Sequence, residues 1–152
     1  MSGDPAAGHR RDARNALRYF PFAGRLLIGL PFAMSGFGKL TAAGPTKQMI
    51  AAAGLPFPLL ALAIAIIVEL GGGLSLIFGY RTRIVAAALA IFSIAAALSF
   101  HANFADQNQL IHFLKNAMIA GGLLQIVAFG AGALAVDNLE PSRAVRAVRH
   151  PG

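Results

Sequence analysis

The chain contains no cysteine. That removes disulfides, thiolate nucleophiles, CxxC redox pairs and cysteine-held iron–sulfur clusters, and leaves the redox compartment undetermined. Charge is scarce as well. Asp, Glu, Lys and Arg make up 12% of the 152 residues and apolar types 57%, against about 25% charged in a typical soluble domain. A soluble fold of this size could not cover its surface with so few charges, so composition points to an integral membrane protein of one domain. There is no phosphate-binding glycine loop, nucleophile elbow or zinc motif. Gly71-Gly72-Gly73 lies inside an apolar stretch and reads as a packing feature. The formal charge of +7 invites a nucleic-acid reading, but the basic residues lie in the termini and in one short turn beside apolar runs. A topology signal or anionic lipid accounts for them, and no nucleic-acid partner is expected.

Four long apolar runs are present, at about Tyr19 to Leu40, Phe57 to Gly79, Arg83 to His101 and Leu110 to Ala135. Each reaches or approaches the roughly 20 residues that cross a bilayer as a helix. The connection from Thr41 to Pro56 carries the breakers Gly44-Pro45 and Gly54-Leu55-Pro56, and reads as a loop. The expected fold is therefore all-α, an integral membrane four-helix bundle over residues 19–136 between basic tails at 1–18 and 137–152. The first tail precedes an apolar run too long for a signal peptide and lacks a clear cleavage site, so it is expected to be retained, without fixed structure. Nine arginines (10, 11, 14, 18, 81, 83, 143, 146 and 149) fall in the tails and the second connection. Positive charge stays cytoplasmic, so both termini are expected there, as an even number of spans requires. No repeat of fixed period is visible. Frequent glycine and alanine predict close helix contacts and little room for a wide pore.

The few ionisable residues at membrane depth carry what chemistry the sequence offers, because each costs several kcal/mol in hydrocarbon unless paired or hydrated. Glu69 lies near the middle of the second run, beyond easy snorkelling reach, and Arg25 lies five residues into the first. Two readings stay open. Arg25 and Glu69 form a buried ion pair that fixes helix register, or Glu69 is a proton-active carboxylate beside a ligand. At the other end of the bundle, Lys39, His101, Lys115 and Asn116 should lie at similar depth. Together they suit a small anion or the carbonyl of a quinone ring, with His101 as proton donor, or else an interfacial cluster satisfied by water. The candidate catalytic groups are thus Glu69 and His101. His101 and His112 are too isolated, and too near the rim, to favour haem, and no metal site is expected.

The segments Arg25-Leu-Leu-Ile-Gly29, Ser35-Gly36-Phe-Gly38-Lys39-Leu40, Glu69-Leu-Gly-Gly-Gly73, Arg81 to Arg83 after Gly79, Phe100-His101 and Phe113-Leu-Lys115-Asn116 with Gly121-Gly122 resemble, in order and spacing, the DoxX family of small four-span membrane proteins. The resemblance covers about residues 18 to 138. It implies a bacterial inner-membrane location and a redox-linked subunit of a membrane oxidoreductase system, acting with a quinone and a partner protein. The alternatives are a non-enzymatic membrane scaffold or assembly partner, or a small-molecule or proton-coupled transporter using Glu69. Membrane lipids, a redox enzyme or a second copy of the chain are the expected partners. The absence of cysteine removes any thiol relay to a sulfur substrate.

Overall fold

The computed structural model describes residues 17–139; the expectations for the basic tails lie outside these, Arg18 and residues 137–139 excepted. Four helices are long and apolar enough to cross a membrane: α1 (Phe20–Thr41), α3 (Pro58–Phe78), α4 (Thr82–Phe100) and α5 (Gln107–Phe129). A shorter helix, α2 (Ala43–Ala52), occupies the connection that reads as a loop in sequence. Its proline, Pro45, falls in the first turn, where a backbone N–H has no intrahelical partner to lose. The breaker signal therefore marked a helix start.

The side chains are distributed as a bilayer demands. Leu27, Met34, Phe37, Ile67, Ile91, Leu98 and Met118 all stand more than half exposed along the four long helices. In water such a surface would aggregate; in hydrocarbon it is the lipid-facing coat. The interior is small and tight, built on Leu76, Ala86, Leu89, Ala90, Ala120 and Leu123. α4 and α5 pack along their length, and α1 lies against the second half of α3.

Glycine sets the α1–α3 distance. A β-carbon on Gly36 would overlap the backbone of Leu70, and one on Gly73 the backbone of Ala33 and Gly29. This antiparallel contact fixes the register: Gly36 beside Leu70, Gly29 beside Gly73 and Ile77, and Arg25 beside Gly79. Within α3, residues Ile67–Gly71 form a π turn instead of α-helix, and Glu69 sits inside it. Isolated π turns inside α-helices occur often at functional sites.

The fourth span stops earlier than hydropathy suggests. It ends at Phe129, and Gly130 and Gly132 (φ 85° and 75°) turn the apolar residues up to Ala135 back across the bundle end. This strap is anchored at three points. Asp137 N–H donates to the Gly79 carbonyl at 2.9 Å. The Asp137 carboxylate accepts from the Arg81 and Thr82 amides at 2.6 and 2.9 Å, capping α4 from outside its own chain segment. The Arg25 guanidinium donates to the Leu134 carbonyl.

Burial pushes the Asp137 carboxyl up, but hydrogen bonds from Thr82 and Arg81 and the nearby Arg25 charge outweigh it and hold it below the usual value of 3.8. A carboxylate so depressed stabilises the fold fully above its unfolded value, and that contribution is lost as pH falls through the lower folded value. We expect the purified protein to lose thermal stability on acidification below about pH 4. Asp137→Asn should flatten that loss and itself destabilise by about 1 kcal/mol, as removal of a cap does. An Asp137→Asn variant with the wild-type acid profile would contradict this.

Candidate functional site

The tight α1–α3 contact brings the site's central pair together. Lys39 stands one turn beyond Gly36, and Glu69 is the residue before Leu70, so the two meet at one level. Lys39 Nζ donates to Glu69 Oε2 at 2.7 Å and to Ser35 Oγ at 2.8 Å. Their side chains are 26% and 8% exposed respectively. It is the sole carboxylate ion pair among the described residues.

The expected Arg25–Glu69 pair is therefore not formed. Arg25 lies beside Gly79, ten positions beyond Glu69 along α3, which is about 15 Å at the helical rise. Sequence depth alone could not distinguish the two cations, because the antiparallel register decides which of them faces Glu69. Arg25 is buried at the other end of the bundle, where it holds the strap and stands 5.8 Å from the Phe22 ring.

The Lys39–Glu69 pair borders a cavity of about 460 Å³. Its walls are Thr46, Met49 and Ile50 of α2, then Leu55, then Ala61, Ile64 and Ala65 of α3, and Phe92, Ala95, Ala96, Ser99 and Phe100 of α4, closed by His101 and Asn116. The lining is mainly apolar, with polar groups concentrated on one side. Met49 and Ile64 of this wall are also exposed, so the wall borders the lipid-facing surface. Behind Glu69 lies a smaller chamber of about 210 Å³, which shares Glu69, Phe92, Ala96 and Asn116 with the first. Ser35 and Ser93 line it, and the buried Ser93 hydroxyl has no hydrogen-bond partner.

His101 follows the last turn of α4. Its Nδ1 lies 2.9 Å from Gln109 Oε1, and its ring stacks on His112 with centroids 4.9 Å apart. Gln109 is placed in turn by Asp106, whose carboxylate accepts from the Asn108 and Gln109 amides at the start of α5. Asn116 donates through Nδ2 to the His112 carbonyl at 3.0 Å. Of the four residues grouped from sequence as ligand-binding, the structure brings Lys39, His101 and Asn116 to one cavity. Lys115 does not join them: it is exposed and lines neither chamber. Neighbours in sequence on a helix diverge by about 100°, and the rotation of α5 turns Asn116 and not Lys115 to the cavity.

Gln109, Phe92 and the whole of α2 were missed as site components. The Gln109–His101 contact crosses a turn whose path is not legible from residue types, and Phe92 is indistinguishable in sequence from the other apolar residues of its span. The stacked histidines present ring faces to each other and not nitrogens to a common centre. Among the described residues no group of three or more His, Asp or Glu gathers as a metal site would require. A wider cavity of about 640 Å³ opens at the strap end, between Arg81, Arg83 and the Gly130–Ala133 segment. It contains no buried ion pair, and its carboxylate, Asp137, is occupied in capping α4.

Comparison with known proteins agrees with this architecture. The DoxX family model matches residues 20–102, from the start of α1 to just past His101. The chain belongs to the DoxX family. It is 39% identical over 115 residues to inner membrane protein YqjF of Escherichia coli, covering 76% of this chain and 87% of that one. It is 30% identical over 139 residues to inner membrane protein YphA of the same organism, covering 82% and 99%. No solved structure matches. With four candidate spans and these relatives, this DoxX family member is a multi-pass inner-membrane protein.

Proposed function

We propose that this DoxX family protein is a redox-linked inner-membrane subunit that binds a lipophilic, quinone-type ring in the cavity beside Lys39 and Glu69. The observation that carries the reading is the cavity itself. It is mainly apolar and its wall borders the lipid-facing surface, yet one side presents a partly buried ion pair, a histidine and an asparagine. That combination of an apolar body with a few convergent polar groups is the usual make-up of a small-molecule site. A small anion fits less well, because Lys39 is already neutralised by Glu69 and Lys115 lines no part of the cavity. Electrons would come from a partner protein, since the chain has no cysteine and the site has no metal-ligand cluster among the described residues. The arginine-bearing end of the bundle, with Arg18, Arg81 and Arg83, is assigned to the cytoplasmic side, which puts the cavity in the outer half of the membrane.

The test is extraction of the purified protein, without added ligand, followed by chromatographic identification of co-purified quinone. Wild type should retain quinone. His101→Phe and Asn116→Leu, which keep size and helix, should each lower retention about tenfold, as loss of a buried polar contact does. Lys115→Ala should change nothing. Wild-type protein that retains no quinone, binds none when it is supplied, and brings down no redox partner would overturn the proposal.

A further inference from the structure

The outward face of α5 carries a group that lipid cannot serve, and from it we infer that the protein pairs with a second copy of itself through that face. α5 buries the smallest share of its residues of the four spans. Beyond its first turn three polar side chains stand exposed, His112, Lys115 and Gln125. His112 stacks on His101 near the outer end. Lys115 lies eight residues into the helix, about 12 Å at the helical rise. Helical Cα–Cβ bonds tilt toward the N-terminus, so its long side chain snorkels to the interface at that end. Gln125 is different. It stands four residues before the end of α5, and the same tilt starts its short side chain away from that end, toward the middle of the bilayer. Its amide engages no described residue, since the side-chain hydrogen bonds of α5 are those of Gln109 and Asn116. An amide without a partner in hydrocarbon keeps its desolvation cost.

Gln125 falls on a regular seam. Ile111, Leu114, Met118, Gly121, Gln125 and Ala128 follow one another at alternating steps of three and four, and all are exposed. This is the spacing at which two helices pack with a left-handed crossing. The apolar members suit lipid as well as a helix; the glutamine requires the helix. Gly121 and Ala128 flank it with little bulk, which lets two backbones approach closely, and a β-carbon at Gly121 meets nothing within its own protomer. None of the six lines either chamber beside Glu69, so pairing through this face is independent of what the cavity holds.

Self-complementarity identifies the occupant. All copies insert in one direction, so two copies related by a two-fold axis along the membrane normal run their α5 helices parallel, with equal positions opposite each other. Gln125 then meets Gln125 of the partner subunit at the same depth. A carboxamide offers both a donor and an acceptor, so two of them satisfy each other reciprocally. A single polar residue on such a seam fixes the register and the number of chains.

The absence of cysteine makes the test direct. Met118→Cys and Ala128→Cys on the seam, and Ile91→Cys on the exposed face of α4 as control, are introduced singly into the full-length protein. Each is reconstituted at high dilution in phosphatidylcholine vesicles and oxidised with copper phenanthroline. The seam variants should give a disulfide-linked dimer and the control should not, and the seam variants should link to themselves again in native membranes. In the cysteine-free chain, single-molecule photobleaching across protein-to-lipid ratios reads the dimer dissociation constant. Gln125→Leu should raise it about three- to twentyfold, the range of interhelical hydrogen bonds in membranes, and Gln125→Asn, which keeps the amide, should raise it less. Circular dichroism confirms that each variant is folded. A monomer at every ratio, a control that cross-links as well as the seam, or a Gln125→Leu dimer as tight as wild type overturns the inference. So does cross-linking of the seam variants in native membranes to a different protein in place of a second copy.

Discussion

Lys39→Met and Glu69→Leu should each destabilise the bundle by about 3 kcal/mol or more, and the double variant should recover most of that loss. Removing one member of a buried pair leaves an uncompensated charge in a low-dielectric site, whereas removing both substitutes apolar contact for a pair whose attraction was largely offset by desolvation. The two single losses should differ. Glu69 is only 8% exposed on a mid-span π turn, while Lys39 is 26% exposed in the last turn of α1. A lysine without its carboxylate can turn toward the interface, and a carboxylate without its lysine has nowhere to go. Lys39→Met should therefore be the more damaging. Thermal or denaturant unfolding of the three variants in one detergent, followed by circular dichroism, reads the comparison. Strictly additive losses would show that the 2.7 Å contact contributes nothing specific.

Gly36→Ala is the second large effect. The added methyl would meet the Leu70 backbone, which cannot rotate aside as a side chain could. α1 and α3 must then separate, with loss of about 2–3 kcal/mol as for other overpacked cores, and with disturbance of the Lys39–Glu69 pair one turn away. Gly73→Ala should behave alike, since its methyl would meet the Ala33 and Gly29 backbones. Gly38→Ala and Gly121→Ala provide the contrast. Neither position has a neighbour within 4 Å of an added β-carbon, so both should be neutral or slightly stabilising through helix propensity. Folded yield by size-exclusion chromatography and unfolding temperature separate the two groups. Indistinguishable behaviour of all four would mean that close approach at Gly36 and Gly73 does not set the α1–α3 distance.

Much of the fold was legible because the bilayer imposes a strong and simple rule. An apolar run of span length has no alternative to a helix, since its backbone polar groups must be satisfied internally. The boundaries of α1, α3 and α4 therefore fall within a residue or two of the hydropathy reading. The misreadings arose where that rule is silent. Residues 130–135 are apolar and extend the run, yet two glycines with positive φ end the helix at Phe129. Gly44-Pro45 reads as a break but opens α2. Nothing in Ile67–Gly71 announces a π turn, because its apolar residues suit an α-helix equally well.

Residue types and their order are enough to give the class, the number of spans and the small set of ionisable residues that had to find partners. These follow from composition and from the energetic penalty of placing charge in hydrocarbon, both of which are local properties. The tertiary structure alone decided which cation Glu69 meets. Arg25 and Lys39 are both cationic side chains on the same helix, and only the glycine-set register of α1 against α3 places Lys39 beside the carboxylate and Arg25 at the strap. It alone also decided that Asn116 enters the cavity and Lys115 leaves it, since the rotation of α5 is set by its packing on α4 and not by the residues' own chemistry.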